Sequence, residues 1–196
     1  MSATVTSTAI LLILGAYLLG SISCAVLACR LYALPDPRLS GSHNPGTTNV
    51  FRNRHRPAAV LTLCGDLLKG LLPVALARQL EQPTLVISLT ALAAVLGHLW
   101  PLFFHFRGGK GVATTLGCCL GLSAQLGLAL VSIWLVPVLY FRIASLAALT
   151  LAASAVPLAW WLAPDYTPLL GALALLLLLR HRDNMLKLRH GGERRL

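Results

Sequence analysis

The sequence predicts an all-α protein, a polytopic transmembrane helix bundle of about seven helices forming one domain over residues 1–196. Three observations carry that expectation. First, 57% of the chain is hydrophobic and only 11% is charged, against about 25% charged in a soluble domain. Second, apolar runs approaching the roughly 20 residues a bilayer span needs recur from end to end. Third, the basic residues gather in a few segments between those runs and in the tail, the pattern of a membrane protein with its positive loops inside. Disorder and a water-soluble fold are excluded by this composition. A net charge of +10 suits a nucleic-acid binder, but its distribution does not, so no nucleic acid is expected as partner.

The first span covers about 7–29, without a basic residue before it or a clean cleavage site after it, so it reads as a retained helix. A polar loop at 31–56 holds three prolines. The second span runs about 57–80 and the third about 83–104. The fourth, near 109–123, is short for a span. The fifth, sixth and seventh cover about 125–140, 144–163 and 166–179, and a tail follows at 181–196. If the fourth and fifth are one broken element, five or six spans remain. No internal repeat is visible. Of the 16 basic residues, only Arg78 falls on the side opposite the loops and tail, and Lys69 lies within the second span. The N-terminus is therefore expected outside and the C-terminus in the cytoplasm, with three polar segments on the cytoplasmic face.

The first polar segment, 40–52, is dense in hydroxyls and amides: Ser42, Asn44 and Asn49, with Arg52 at its end. An ordinary connecting loop has no need of that density. The second joins the third and fourth spans. His98 and an aromatic cluster lead into Arg107-Gly108-Gly109-Lys110-Gly111. Glycine N–H groups beside cations, ahead of a helix start, are the parts of a phosphate or carboxylate site. It is not a nucleotide P-loop, because Gly111 follows Lys110 and Phe104 stands where that motif needs glycine. His98 reads as a satisfied structural histidine. The third segment is the tail, where His181 and Asn184 are three apart and share a face on a continuing helix. A basic tail attracted to anionic lipid accounts for the arginines, but not for His181, Asn184 and Glu193.

Asp66 and Lys69 lie inside the second span on one face. Intramembrane charges are costly unless paired, so a structural ion pair is favoured over a catalytic role. The five cysteines form no C-x-x-C pair and read as small buried hydrophobes, with no metal expected.

Together these segments resemble the acyl-phosphate-dependent glycerol-3-phosphate acyltransferases of bacterial membranes. The resemblance spans nearly the whole chain. It rests on Gly97-His98 through Phe106-Arg107-Gly108-Gly109-Lys110-Gly111-Val112-Ala113-Thr114, on Asp66-Leu67-Leu68-Lys69-Gly70, and on His181-Arg182-x-Asn184 with Lys187-Leu188 and Gly191-x-Glu193. It implies seven helices, no metal or other cofactor, and a place in the bacterial cytoplasmic (inner) membrane with the site on the cytoplasmic face. The implied reaction moves a fatty acyl group from acyl phosphate to the 1-hydroxyl of glycerol 3-phosphate, giving lysophosphatidic acid and phosphate. This is the first acylation of phospholipid synthesis.

On that resemblance, Lys110 with the N–H groups of Gly108, Gly109 and Gly111 holds one phosphate and Arg52 the other. Ser42, as a catalytic residue, and Asn44 orient the acyl phosphate or stabilise the developing oxyanion, and Asn49 orients substrate. His181 and Asn184 position the glycerol hydroxyl, with His181 or a substrate phosphate as base. Asp66, Lys69 and Glu193 are structural. Two departures stand out. The family's Gly-Ser-Gly-Asn appears as Gly41-Ser42-His43-Asn44, and Lys187 stands where arginine is more frequent. If position 43 needs a positive φ, histidine costs more than glycine there. The competing class, an anion channel or transporter, should carry polar groups near mid-membrane on several helices, and apart from Asp66 and Lys69 this chain has almost none.

Overall fold

The computed structural model describes residues 3–196 and is helical throughout, with no strand among them. Residues 1 and 2, the tip of the end expected outside, lie beyond them. The chain divides into two compact units, 1–122 and 123–196.

The first unit holds α1 (Ala3–Gly20), α2 (Cys24–Leu31), α3 (Thr47–Arg52), α4 (Arg56–Gln79), α5 (Thr84–Leu99) and α6 (Val112–Leu122). The expected first span is broken: α1 and α2 meet at a 44° bend across residues 21–23. A break at this depth needs its freed carbonyls satisfied without water. Here Lys69 Nζ on α4 donates to Ile22 O at 2.8 Å, and Ser21 Oγ donates back to Tyr17 O at 2.8 Å. Pro57 sits in the first turn of α4, where its missing N–H costs nothing, and Pro73 lies inside the helix.

Small residues let these helices cross at backbone contact, the usual solution where lipid removes the hydrophobic drive to associate. A Cβ at Gly117 of α6 would overlap Leu67 O of α4, and one at Gly70 of α4 would overlap Thr114 O of α6. Gly97 of α5 meets Tyr17 O of α1 in the same way. Hydroxyls inside the helices bond to their own preceding turn, as Thr62 does to Ala58 O at 2.7 Å and Thr90 to Val86 O at 2.8 Å. The Arg78 guanidinium donates to Gly121 O at 3.2 Å, a cation placed on the last carbonyls of α6.

The second unit holds α7 (Ala124–Tyr140), α8 (Ala144–Leu162), α9 (Thr167–Arg180) and α10 (Arg182–Arg189). α8 packs between α7 and α9, and α10 touches both α8 and α9. Trp160 and Trp161 end α8 largely exposed, the amphipathic residues of a membrane interface.

Of the expected seven spans, three among the described residues are long and apolar enough to cross unaided: Arg56–Gln79, Thr84–Phe104 and Ala144–Leu162. The bent pair makes a fourth. The remaining helices fall short. The 11 residues of α6 rise only about 16 Å at ~1.5 Å each, against a hydrocarbon core of about 30 Å.

Candidate active site

The loop from Leu31 to Arg56 is folded by its own polar groups. Asp36 Oδ1 accepts the Arg38 N–H at 2.9 Å, an Asx turn, while the Arg38 guanidinium grips the same carboxylate at 2.7 and 3.0 Å. Those bonds hold the Asp36 carboxyl below its ordinary range. Asn49, buried in the first turn of α3, ties the rest together. Its Oδ1 accepts the Ser42 N–H at 3.0 Å, and its Nδ2 donates to Pro37 O at 2.8 Å and Ser40 O at 3.0 Å. The chain between is sharply turned: Gly41 has φ +64° and His43 φ +58°. A side chain at Gly41 would run into Asn49 Oδ1. Position 43 thus does take the left-handed conformation, and the His43 ring donates from Nδ1 to Arg38 O at 3.3 Å. These turns leave Ser42 exposed and Asn44 half-buried, with Arg52 half-buried at the end of α3.

The glycine-rich segment folds back on the end of α5. Gly109 N–H donates to His98 O at 3.2 Å. A Cβ at Gly108 would strike the His98 and Leu99 carbonyls, and one at Gly109 would strike His98 Nε2. These two glycines are therefore required by packing, and the Gly109 N–H is spent inside the protein. That removes it from the expected anion cradle. Gly111 has φ +87° and is buried, and Lys110 between them is half-buried. Behind this segment lies a buried polar row. His98 Nδ1 is 3.2 Å from Thr114 Oγ1 and 3.6 Å from Asp66 Oδ1, and Asp66 pairs with Lys69 at 2.8 Å.

The two segments meet at Arg38, which donates to Phe104 O at 3.5 Å and lies over the Phe104 ring at 5.5 Å. Between them is a cleft of about 390 Å³ lined by Asp36, Arg38, Leu39, His105 and Arg107.

In the second unit, α9 stops at Arg180 and His181 stands at the junction with α10, with φ −106° and ψ 9°. His181 and Asn184 therefore do not share one continuing helix. His181 is buried and its Nδ1 donates to Leu177 O at 2.8 Å, which leaves Nε2 as the basic nitrogen. The Asn184 amide nitrogen is clasped by both oxygens of Glu193 at 3.1 Å each, so Glu193 closes the tail onto α10.

The family model for Glycerol-3-phosphate acyltransferase matches residues 10–191. The chain belongs to this family. It is 51% identical over 185 residues to a glycerol-3-phosphate acyltransferase of Thioalkalivibrio sulfidiphilus, covering 93% of this chain and 91% of that one. It is 47% identical to that of Photobacterium profundum, covering 97% and 94%. Among solved structures it is similar to PlsY, an integral membrane glycerol 3-phosphate acyltransferase, in its glycerol 3-phosphate form. There the TM-score is 0.90 at 36% identity, with 96% of each chain covered. The lysophosphatidic acid form of PlsY gives 0.88 at 35% identity. With its apolar helices, the chain is a membrane-embedded member of the family.

Four residues that order this region, Asp36, Arg38, His98 and Thr114, have no site role assigned from sequence. Asp36 and Arg38, two residues apart around a proline, have the spacing of an Asx turn and could have been found from it. His98 and Thr114 could not, because their pairing exists only once α5 and α6 are packed.

Proposed function

We propose that this chain transfers a fatty acyl group from acyl phosphate to the 1-hydroxyl of glycerol 3-phosphate, at the cytoplasmic face of a bacterial inner membrane. The whole chain, 1–196, acts as one acyltransferase domain with its N-terminus outside. The observation that carries the reading is the 0.90 TM-score over 96% of the chain to an acyltransferase in its glycerol 3-phosphate form.

In this reading the glycerol hydroxyl oxygen attacks the acyl carbonyl carbon, the carbonyl–phosphate C–O bond breaks, and inorganic phosphate leaves. Acyl phosphate is already activated, so the protein's task is to hold charge and aim groups. Lys110, with the Gly108 and Gly111 N–H groups, binds one phosphate and Arg52 the other. Ser42 and Asn44 orient the acyl phosphate. Asn49 acts one step back, since its amide holds the Ser42 N–H. His181 and Asn184 handle the glycerol hydroxyl. His181 Nε2 takes the proton, because Nδ1 is committed to Leu177 O. Asn184 contributes its Oδ1, its nitrogen being held by Glu193.

The test supplies purified protein in lipid with labelled glycerol 3-phosphate and either acyl phosphate or acyl-CoA. Labelled lysophosphatidic acid is expected from acyl phosphate. Its absence there, or its appearance from acyl-CoA alone, overturns the assignment of donor.

A further inference from the structure

The segment that carries Lys110 is pinned at two points, and both pins are His98. At the near end, Gly109 N–H donates to the His98 carbonyl at 3.2 Å, with the glycine seated so tightly on the imidazole that any Cβ would overlap Nε2. At the far end, Thr114 Oγ1 lies 3.2 Å from His98 Nδ1. The four residues between the pins begin with Lys110. His98 itself is 7% exposed and cannot swing away, because its ring is backed by Asp66 Oδ1 at 3.6 Å. Asp66 is fixed in turn by Lys69, which is anchored on Ile22 O at the bend between α1 and α2.

A loop residue with a flexible four-carbon stem binds phosphate well only if its Cα is placed beforehand, since ordering it during binding consumes affinity. We propose that His98 is a positioning residue that sets the Lys110 segment for phosphate, with Asp66 fixing the orientation of its ring. This rests on the assignment of Lys110 to phosphate, and takes that phosphate to be the one of glycerol 3-phosphate. His98 acts through Gly109 and Thr114, and it does so with two different groups, the carbonyl and the imidazole. The imidazole contribution is the part that mutation can remove.

The experiment measures Kd for labelled glycerol 3-phosphate without acyl donor, alongside KM and kcat with acyl phosphate, on the full chain in lipid. His98→Leu removes the ring nitrogens, whereas His98→Asn returns a hydrogen-bonding group near the position of Nδ1. Expected is a rise of tenfold or more in Kd and KM for glycerol 3-phosphate in His98→Leu, kcat within about threefold, and substantial recovery in His98→Asn. This is the signature of lost ground-state binding. Should the leucine variant fail to fold, Thr114→Val against Thr114→Ser decides. Valine keeps the shape and loses the hydroxyl, and should weaken binding where serine does not. Unchanged Kd in a folded His98→Leu, or in Thr114→Val, overturns the proposal. Lys110→Met separates the two levels. If it leaves Kd unchanged, the phosphate assignment fails and the positioning role with it. If it weakens binding while the His98 and Thr114 variants do not, only the positioning role fails.

Discussion

Replacing Asn49 by aspartate changes one heavy atom and should nonetheless inactivate the enzyme. The wild-type amide makes three hydrogen bonds, one accepted from Ser42 N–H and two donated to the Pro37 and Ser40 carbonyls. Aspartate keeps the first. It replaces both donors by a carboxylate oxygen facing two carbonyl oxygens at the places where contacts of 2.8 and 3.0 Å existed. Each lost bond contributes about 0.5–1.5 kcal/mol, and each buried group left unpaired costs about 1–3 kcal/mol. For two donors lost, the local penalty is therefore about 2–6 kcal/mol, enough to open a loop in most molecules. The partners Ser42, Pro37 and Ser40 all lie in the loop, outside the long helices, so the bundle should persist. The assay pairs initial rate with limited proteolysis between residues 36 and 52. Activity should fall by at least tenfold and the loop should become cleavable, with Asn49→Ala behaving similarly. Full activity in Asn49→Asp would refute the claim that this amide's donors shape the loop.

Three further outcomes follow from other groups. His43→Gly relieves a left-handed residue but frees the unfolded chain by about 0.5–1 kcal/mol, so stability should change by less than about 1 kcal/mol and activity should survive. His43→Val, β-branched at φ +58°, should lose loop order in the same proteolysis assay. Because Arg38 depresses the Asp36 carboxyl, the stabilisation it gives is present above the unfolded value of about 3.9 and is lost as pH falls through the lower folded value. Loop protection measured by hydrogen exchange should drop in that acidic window, and Asp36→Asn should flatten the dependence. Finally, Lys69→Met strands Asp66 as a buried charge and should cost about 3–5 kcal/mol in thermal unfolding in detergent, part of which Asp66→Asn/Lys69→Met recovers.

The apolar runs were legible because lipid imposes one rule on every residue of a span, and the motifs because their residue types are unusual for connecting loops. The left-handed turn at His43 was legible only as a condition, a positive φ that costs histidine more than glycine, and the structure has φ +58°. Position along the chain was less informative about local shape. In the run from Ser7 to Cys29 only Gly20-Ser21-Ile22-Ser23 marks the 44° bend, and Lys69, reaching Ile22 O from another helix, satisfies a carbonyl there. Gly108 and Gly109 looked like donors for an anion, yet their absent side chains answer to the crowding at the end of α5. His181 and Asn184 looked like neighbours on one continuing helix, but the helix yields at His181, whose ring is bonded back to Leu177 O.

The ion pair on α4 has one more consequence, for the order in which the protein is made. Asp66 and Lys69 are three residues apart on the same helix and lie 2.8 Å from each other. Their other contacts come from chain segments synthesised at quite different times, Ile22 before α4 and His98 after it. A nascent α4 leaving the translocon thus carries its own counter-charge and enters lipid with its mid-helix charges already paired, before α5 and α6 exist to shelter it. Placing the two charges on separate helices would give the same finished cluster, but each helix would cross the hydrocarbon alone with a bare charge.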